Sequence, residues 1–312
     1  MSGKSNVFKY KLIEYKGFKL HADSVSIMPE VEELECHKDD FLLASFMKSG
    51  STWTDTIITL MLNGGDPKSL TRDAAKSGLY KTLGFLEIRF SNNIEEPRDL
   101  CTIDAVKAMQ SPKGMRTHLP CSLLPPAVLA NKLKVVYIYR NVKDVMWSLY
   151  RHLLHNPYKI VDYLGTFDEF VLAFMKDNVV YCPYFGHLHS YWKNRNEPNF
   201  LIFSYEELTK DHVGIIRRIA KFLELPLTEE QVELVRHHST LEQMRAMNHQ
   251  TWREWFSAKD ETGAEVHNFL GNAKAGSGSS QLSPETNAKV DQWIANNLQD
   301  YDFGNVNPFE TV

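Results

Sequence analysis

The stretch FLLASFMKSGSTWTDTIITLML, residues 41–62, decides the fold. It opens on five residues without polar alternation, Phe41–Ser45, the pattern of a strand covered on both faces. It closes on residues 52–63, where apolar side chains return at helical spacing. Between them lies Lys48-Ser49-Gly50-Ser51-Thr52-Trp53. A buried strand that turns tightly onto a helix start gathers unpaired N–H groups around one point, with the helix dipole behind them, and so favours an anion. The plain alternative is a helix cap with a surface lysine and a core tryptophan, since Ser and Thr are common caps. The stretch is not a Walker A loop, whose lysine follows its last glycine; here Lys48 precedes the one glycine. That disfavours an ATP or GTP site.

The 312 residues are 43% hydrophobic and 24% charged, the composition of an ordinary globular protein. A formal net charge of −4 argues against a generally basic nucleic-acid binder and leaves room for a local positive pocket. The opening MSGKSNVFKYK has no apolar run of a signal peptide, and no stretch reaches the length that spans a bilayer. The four cysteines, Cys36, Cys101, Cys121 and Cys182, are scattered without a CxxC pair. They predict reduced thiols and a cytoplasmic protein rather than a disulfide framework or a zinc site.

Further strands are predicted at LKVVYIYR (133–140) and FLIFSY (200–205), and a hairpin around Lys16-Gly17. Helices are predicted over Val142–Leu154, through Ile215, Ile216, Ile219, Phe222 and Leu223 up to Pro226, and from Thr228 with a capping box to Gln231. A last helix starts at Ser283-Pro284, runs to about Leu298, and buries Val290, Trp293 and Ile294. Residues 272–281, NAKAGSGSSQ, read as a surface loop. Strand–helix alternation without a composition break predicts one α/β domain over residues 1–312, with a central, mainly parallel sheet flanked by helices.

Two more segments carry chemistry. Arg140 closes a buried strand, where such sheets place ligands, and Ser148 lies eight residues on. The planar fork of arginine suits a phosphate; a helix-start ion pair with Asp144 is the simpler reading. In GMRTHLPCSLLPP, His118 falls between a β-forming stretch and a proline turn, a place for a general base, though a lone histidine among twelve is usually structural.

Lys-Ser-Gly-Ser-Thr-Trp after a strand, then Thr-His-Leu-Pro, then Arg-Asn-x-Lys-Asp-Val-x-x-Ser, in this order and spacing, resembles the cytosolic sulfotransferases. GFLE (84–87) and FSYEEL (203–208) fall where that family has similar segments. The resemblance implies transfer of a sulfuryl group from 3′-phosphoadenosine 5′-phosphosulfate (PAPS) to a hydroxyl or amine of a small acceptor, without a metal, at a P-loop-like strand–loop–helix site. It implies that Lys48, Ser49, Gly50, Ser51 and Thr52 cradle the phosphosulfate. Trp53 stacks on adenine, bounded by Tyr205 and Leu241, while Arg140 and Ser148 hold the 3′-phosphate. Lys48 then neutralises charge on the leaving phosphate, His118 takes the acceptor's proton, and Ser148 restrains the lysine. Arg116 stands where many members have lysine, and with Phe85 and His118 it borders an apolar acceptor pocket.

One segment departs from the pattern. The family's Arg-Lys-Gly-x-x-Gly is replaced by Gly271-Asn272-Ala273-Lys274-Ala275-Gly276-Ser277-Gly278-Ser279. Asn272, Ala273 and Lys274 remain donor-binding candidates, Lys274 as a partial replacement for the missing charge, and the loop's N–H groups as a phosphate wrap. Two lost charge-assisted contacts cost on the order of 2–5 kcal/mol if nothing compensates. The family's dimer segment is not evident around NHQTWREWFSAKDETG, which leaves monomer and homodimer open. An active sulfotransferase on a hydrophobic or aromatic acceptor is preferred; a binding protein with weakened donor affinity is the alternative, and a kinase or NTPase is disfavoured. Neither nucleic acid nor membrane is an expected partner.

Overall fold

Hydrophobic side chains on both faces of Phe41–Ser45 force that strand into the middle of a sheet, and a computed structural model shows it there. The structure describes residues 11–71, 73–74, 81–88, 102–154, 165–247, 250, 258–259, 265–267, 270, 275–304 and 306–310. In chain order the elements begin with strands β1 (Leu12–Tyr15) and β2 (Phe18–His21), helix α1 (Ala22–Glu32), β3 (Phe41–Ser45), α2 (Ser51–Leu62) and β4 (Leu83–Phe85). Next come α3 (Ile103–Ala108), β5 (Gly114–Thr117), α4 (Pro126–Ala130), β6 (Lys134–Tyr139), α5 (Val142–Leu154), α6 (Phe167–Met175) and α7 (Tyr184–Trp192). They continue with β7 (Phe200–Ser204), α8 (Tyr205–Lys210), α9 (His212–Leu223), α10 (Glu229–His238) and α11 (Leu241–Ala246). The short strands β8 (Ala258–Lys259) and β9 (Glu265–His267) pair with each other, and α12 (Pro284–Asp300) follows.

The central sheet has the order β4-β5-β3-β6-β7, and every pairing in it is parallel. Alternate residues of its inner strands feed two cores. Leu42 and Ala44 of β3 and Val135, Tyr137 and Tyr139 of β6 enter one, with α1, α4, α5, α6 and α7. Phe41 and Leu43 of β3 and Val136 and Ile138 of β6 enter the other, with α2, α9 and α10. This two-sided burial is the physical reason the strands carry no polar alternation.

The predicted hairpin is β1–β2, and both Lys16 (φ 48) and Gly17 (φ 86) adopt the positive φ that a two-residue turn demands. The helix through Ile215 ends at Leu223, with Glu224 left-handed, three residues before Pro226. The Thr228 capping box with Gln231 forms, and α12 runs two residues past Leu298. Val290 is buried as expected, whereas Trp293 and Ile294 are half-buried against the same core. Cys36, Cys121 and Cys182 are free and buried; Cys101 lies outside the described residues. Among the described residues, no helix is long and apolar enough to cross a membrane, and no metal-holding group of His, Cys, Asp or Glu assembles.

Candidate active site

Because the five strands are parallel, their C-terminal ends share one edge of the sheet, and each delivers a residue there. Phe85 and Glu87 follow from β4, Arg116 and His118 from β5, Lys48 from β3, Arg140 from β6 and Tyr205 from β7.

The turn after β3 is built around two left-handed residues, Lys48 (φ 67) and Gly50 (φ 110). A Cβ on Gly50 would come within 2.8 Å of Tyr205 Cδ2 and 2.9 Å of Ile138 Cδ1, so the loop approaches the end of β6 and the start of α8 this closely only with glycine there. Gly50 caps α2 without any side-chain hydrogen bond. Its carbonyl accepts from Trp53 N and Thr54 N, while among the described residues none takes the N–H groups of Gly50, Ser51 or Thr52. Ser49 Oγ is buried and has no hydrogen-bond partner there either. A cluster of unclaimed donors at a helix start is the feature expected of an anion site. Lys48 is half-buried beside it; desolvation and then the charge of Arg140 bring its pKa down to about 7.

His118 faces this loop from β5. Its Nδ1 lies 2.9 Å from the Ser45 carbonyl oxygen and 3.2 Å from Ser45 Oγ. A carbonyl only accepts, so Nδ1 carries the proton and Nε2 keeps its lone pair. Burial is the main force that lowers its pKa to about 3; the Ser45 bond opposes that, while Arg116, His187 and Lys48 add to it. The imidazole is therefore neutral at neutral pH. The backbone around it is pinned from both sides. His118 N donates to Glu87 Oε1 at 2.6 Å, and His187 Nε2 donates to the His118 carbonyl at 3.0 Å. Glu87 also accepts from Thr117 Oγ1 at 2.7 Å, and desolvation lifts its carboxyl to about 7 against these bonds.

On the other side of Lys48, the Arg140 guanidinium lies 4.2 Å over the ring of Tyr205 and 3.4 Å from Asp144 Oδ2. The simple ion pair read from the sequence is thus present. Trp53 is buried and meets Tyr205 edge-on at 5.6 Å and His212 at 5.3 Å, with Nε1 donating to Ser239 O at 2.8 Å. Leu241 opens α11, half-buried against the same cluster. Ser148 is half-buried about two turns along α5. Lys48 to Trp53, Phe85, Arg116, His118, Arg140 and Tyr205 therefore form one continuous band.

Asn272, Ala273 and Lys274 lie outside the described residues. The described end of their loop does something the sequence did not suggest. Gly276 N and Gly278 N each donate to the buried Asp144 carboxylate at 2.7 Å, so these two groups are engaged by a side chain. Sequence reasoning also missed Asp55, Ser45 and His187. Each acts through a partner roughly sixty or seventy residues away, a distance that no local pattern encodes.

The sequence profile of the family described as Sulfotransferase domain matches residues 38–302. Sulfotransferase 1 family member D1 of Mus musculus is 30% identical over 303 residues, covering 96% of this chain and 97% of its own. The protein of the same name from Rattus norvegicus is 33% identical over 246 residues, 79% of each chain. A solved structure of mouse sulfotransferase SULT7A1 complexed with PAP shares the fold, with a TM-score of 0.71 over 93% of this chain and 95% of that one, at 21% identity.

Proposed function

The chain belongs to the sulfotransferase domain family, and on that premise we propose that it moves a sulfuryl group from PAPS to the hydroxyl or amine of a small hydrophobic or aromatic acceptor. The observation that carries the reading is the pairing, at one sheet edge, of unclaimed donors at the start of α2 with a neutral histidine. The residues fit the donor. The buried Ser49 Oγ and the N–H groups of Gly50, Ser51 and Thr52 would receive the phosphosulfate, and Arg140 would face the 3′-phosphate. Trp53, Tyr205 and Leu241 form the apolar cluster for adenine, with Ser148 beyond Arg140.

PAPS supplies the sulfuryl group and leaves as PAP. Lys48 holds positive charge beside the loop, where charge builds on the leaving phosphate oxygen. His118 receives the acceptor's proton on Nε2, while the Ser45 carbonyl fixes the proton already on Nδ1 and steadies the imidazolium that forms. Phe85 and Tyr181 pack against the imidazole and would limit the access of water to this step.

The test is turnover: purified protein with PAPS and a panel of phenols, steroids and aliphatic alcohols, read as PAP release and sulfated product. Product from no acceptor in the panel overturns the reading. One observation favours the alternative of a donor-weakened binding protein, namely that Gly276 N and Gly278 N are held by Asp144. Calorimetry with PAP separates the two, because tight binding removes the reason for supposing an inactive site.

A further inference from the structure

Arg116 does not stand free at the transfer site. Its Nη1 donates to Asp55 Oδ2 at 2.7 Å, and both side chains are buried. Its guanidinium carbon lies 4.0 Å above the ring of Phe85, and that same ring lies 5.3 Å from His118. Asp55 sits one turn inside α2, the helix whose start forms the anion loop.

We propose that Asp55 is a positioning residue for the acceptor side of the site, which holds the Arg116 guanidinium over the Phe85 ring and so fixes the aromatic wall beside His118. The proposal rests on the sulfotransferase reading only for the placement of the acceptor at that wall. A buried ion pair is an expensive way to fill space, since each ion loses its hydration and apolar residues would pack as well. What the pair adds is direction. The bond from Nη1 to Asp55 restricts where the guanidinium can lie, and its contact with the Phe85 ring is itself attractive. Phe85 thereby has a fixed charged neighbour as well as the imidazole, and the pocket keeps a rigid aromatic surface where an acceptor ring would lie.

Two substitutions test this with 2-naphthol, whose fluorescence reports its binding to protein saturated with PAP. Arg116→Lys keeps the charge pair and loses the flat face; Asp55→Asn keeps the shape and loses the charge. Each is expected to weaken 2-naphthol five- to tenfold, with PAP affinity within twofold of the parent. A merely structural role would not separate the two ligands. Unchanged 2-naphthol binding in Arg116→Lys overturns the proposal whatever Asp55→Asn does, and so does an equal loss of PAP. Parent protein that binds PAP but neither binds nor sulfates any phenol overturns the acceptor reading alone. A crystal structure of Asp55→Asn with PAP then tests the pair by itself: a guanidinium displaced from the Phe85 ring is expected, and one left in place overturns the proposal.

Discussion

A neutral imidazole with its Nδ1 proton fixed on the Ser45 carbonyl keeps a lone pair on Nε2, the atom to which the proposed reaction gives the acceptor's proton. His118→Ala is therefore expected to lower kcat by about 10²–10⁴, the usual worth of a general base, with PAP affinity unchanged in calorimetry. Lys48 leads to a different prediction. Desolvation and Arg140 hold it near 7 in the free protein, and an anion in the loop favours its charged form and raises that value. PAP binding above pH 7 should take up a proton, and affinity should fall as pH rises, by up to about tenfold per unit. Calorimetry in two buffers of different ionisation enthalpy measures the uptake, and Lys48→Met should abolish it. At this scale the sequence was half readable. Lys48 to Trp53, His118 and Arg140 stand in contiguous motifs beside strand ends, but the partners that set their protonation lie elsewhere. Ser45 is 73 residues from His118, and nothing in its surroundings marks it. Arg116 read as a residue bordering the acceptor pocket; its carboxylate partner, Asp55, is hidden among the apolar residues of α2.

The elements divide by how much of their stabilisation is local. β3 and β6 are buried on both faces, and α5 starts right after its strand, so hydrophobic runs revealed all three. β4 has three residues and acquires its identity only by pairing with β5, which no window of sequence displays. The loop before α12 was legible only as small and polar. Its anchorage is a tertiary fact, in which Asp144 of α5 accepts two backbone N–H groups from 132 and 134 residues further on. That anchorage requires close backbone approach: a Cβ on Gly278 would sit 2.2 Å from the Lys143 carbonyl oxygen, and no rotamer change relieves a clash with backbone. Gly278→Ala should therefore lift the loop off α5 and destabilise the protein by about 3 kcal/mol, the upper end for a forced close contact. Gly276 is the control. Nothing lies within 4 Å of a Cβ there, so Gly276→Ala pays only for its left-handed φ of 79°, roughly 1–2 kcal/mol of stability. Scanning calorimetry of both variants compares the two losses of stability directly.

For the whole molecule, the parallel sheet both gathers the site and buries its ionisable groups, so assembly of the site is coupled to folding. Glu87 shows the coupling most cleanly because it is fully buried, with both carboxylate oxygens bonded to the segment that carries His118. Its folded-state pKa is raised by desolvation from 4.5 to about 7, so between these values the native protein holds a proton that the unfolded chain has lost. The stabilisation from this proton is complete below pH 4.5 and is lost as pH rises through 7. His118, held down to about 3, has the opposite sign and weakens the fold as pH drops below 6.5. A single melting curve against pH mixes these terms; a difference curve does not. Glu87→Gln replaces the carboxyl by a group that never ionises, keeps an acceptor for His118 N, and leaves the histidines untouched. The melting temperature of the variant minus that of the parent should be lowest near pH 4.5 and rise steadily towards pH 8, where the parent holds a buried carboxylate. The full span corresponds to about 3 kcal/mol at 1.36 kcal/mol per pKa unit. A difference that stays flat over that range means the carboxylate of Glu87 is ionised in the fold at no cost, and that the segment carrying His118 is held by an anion rather than by a neutral acid.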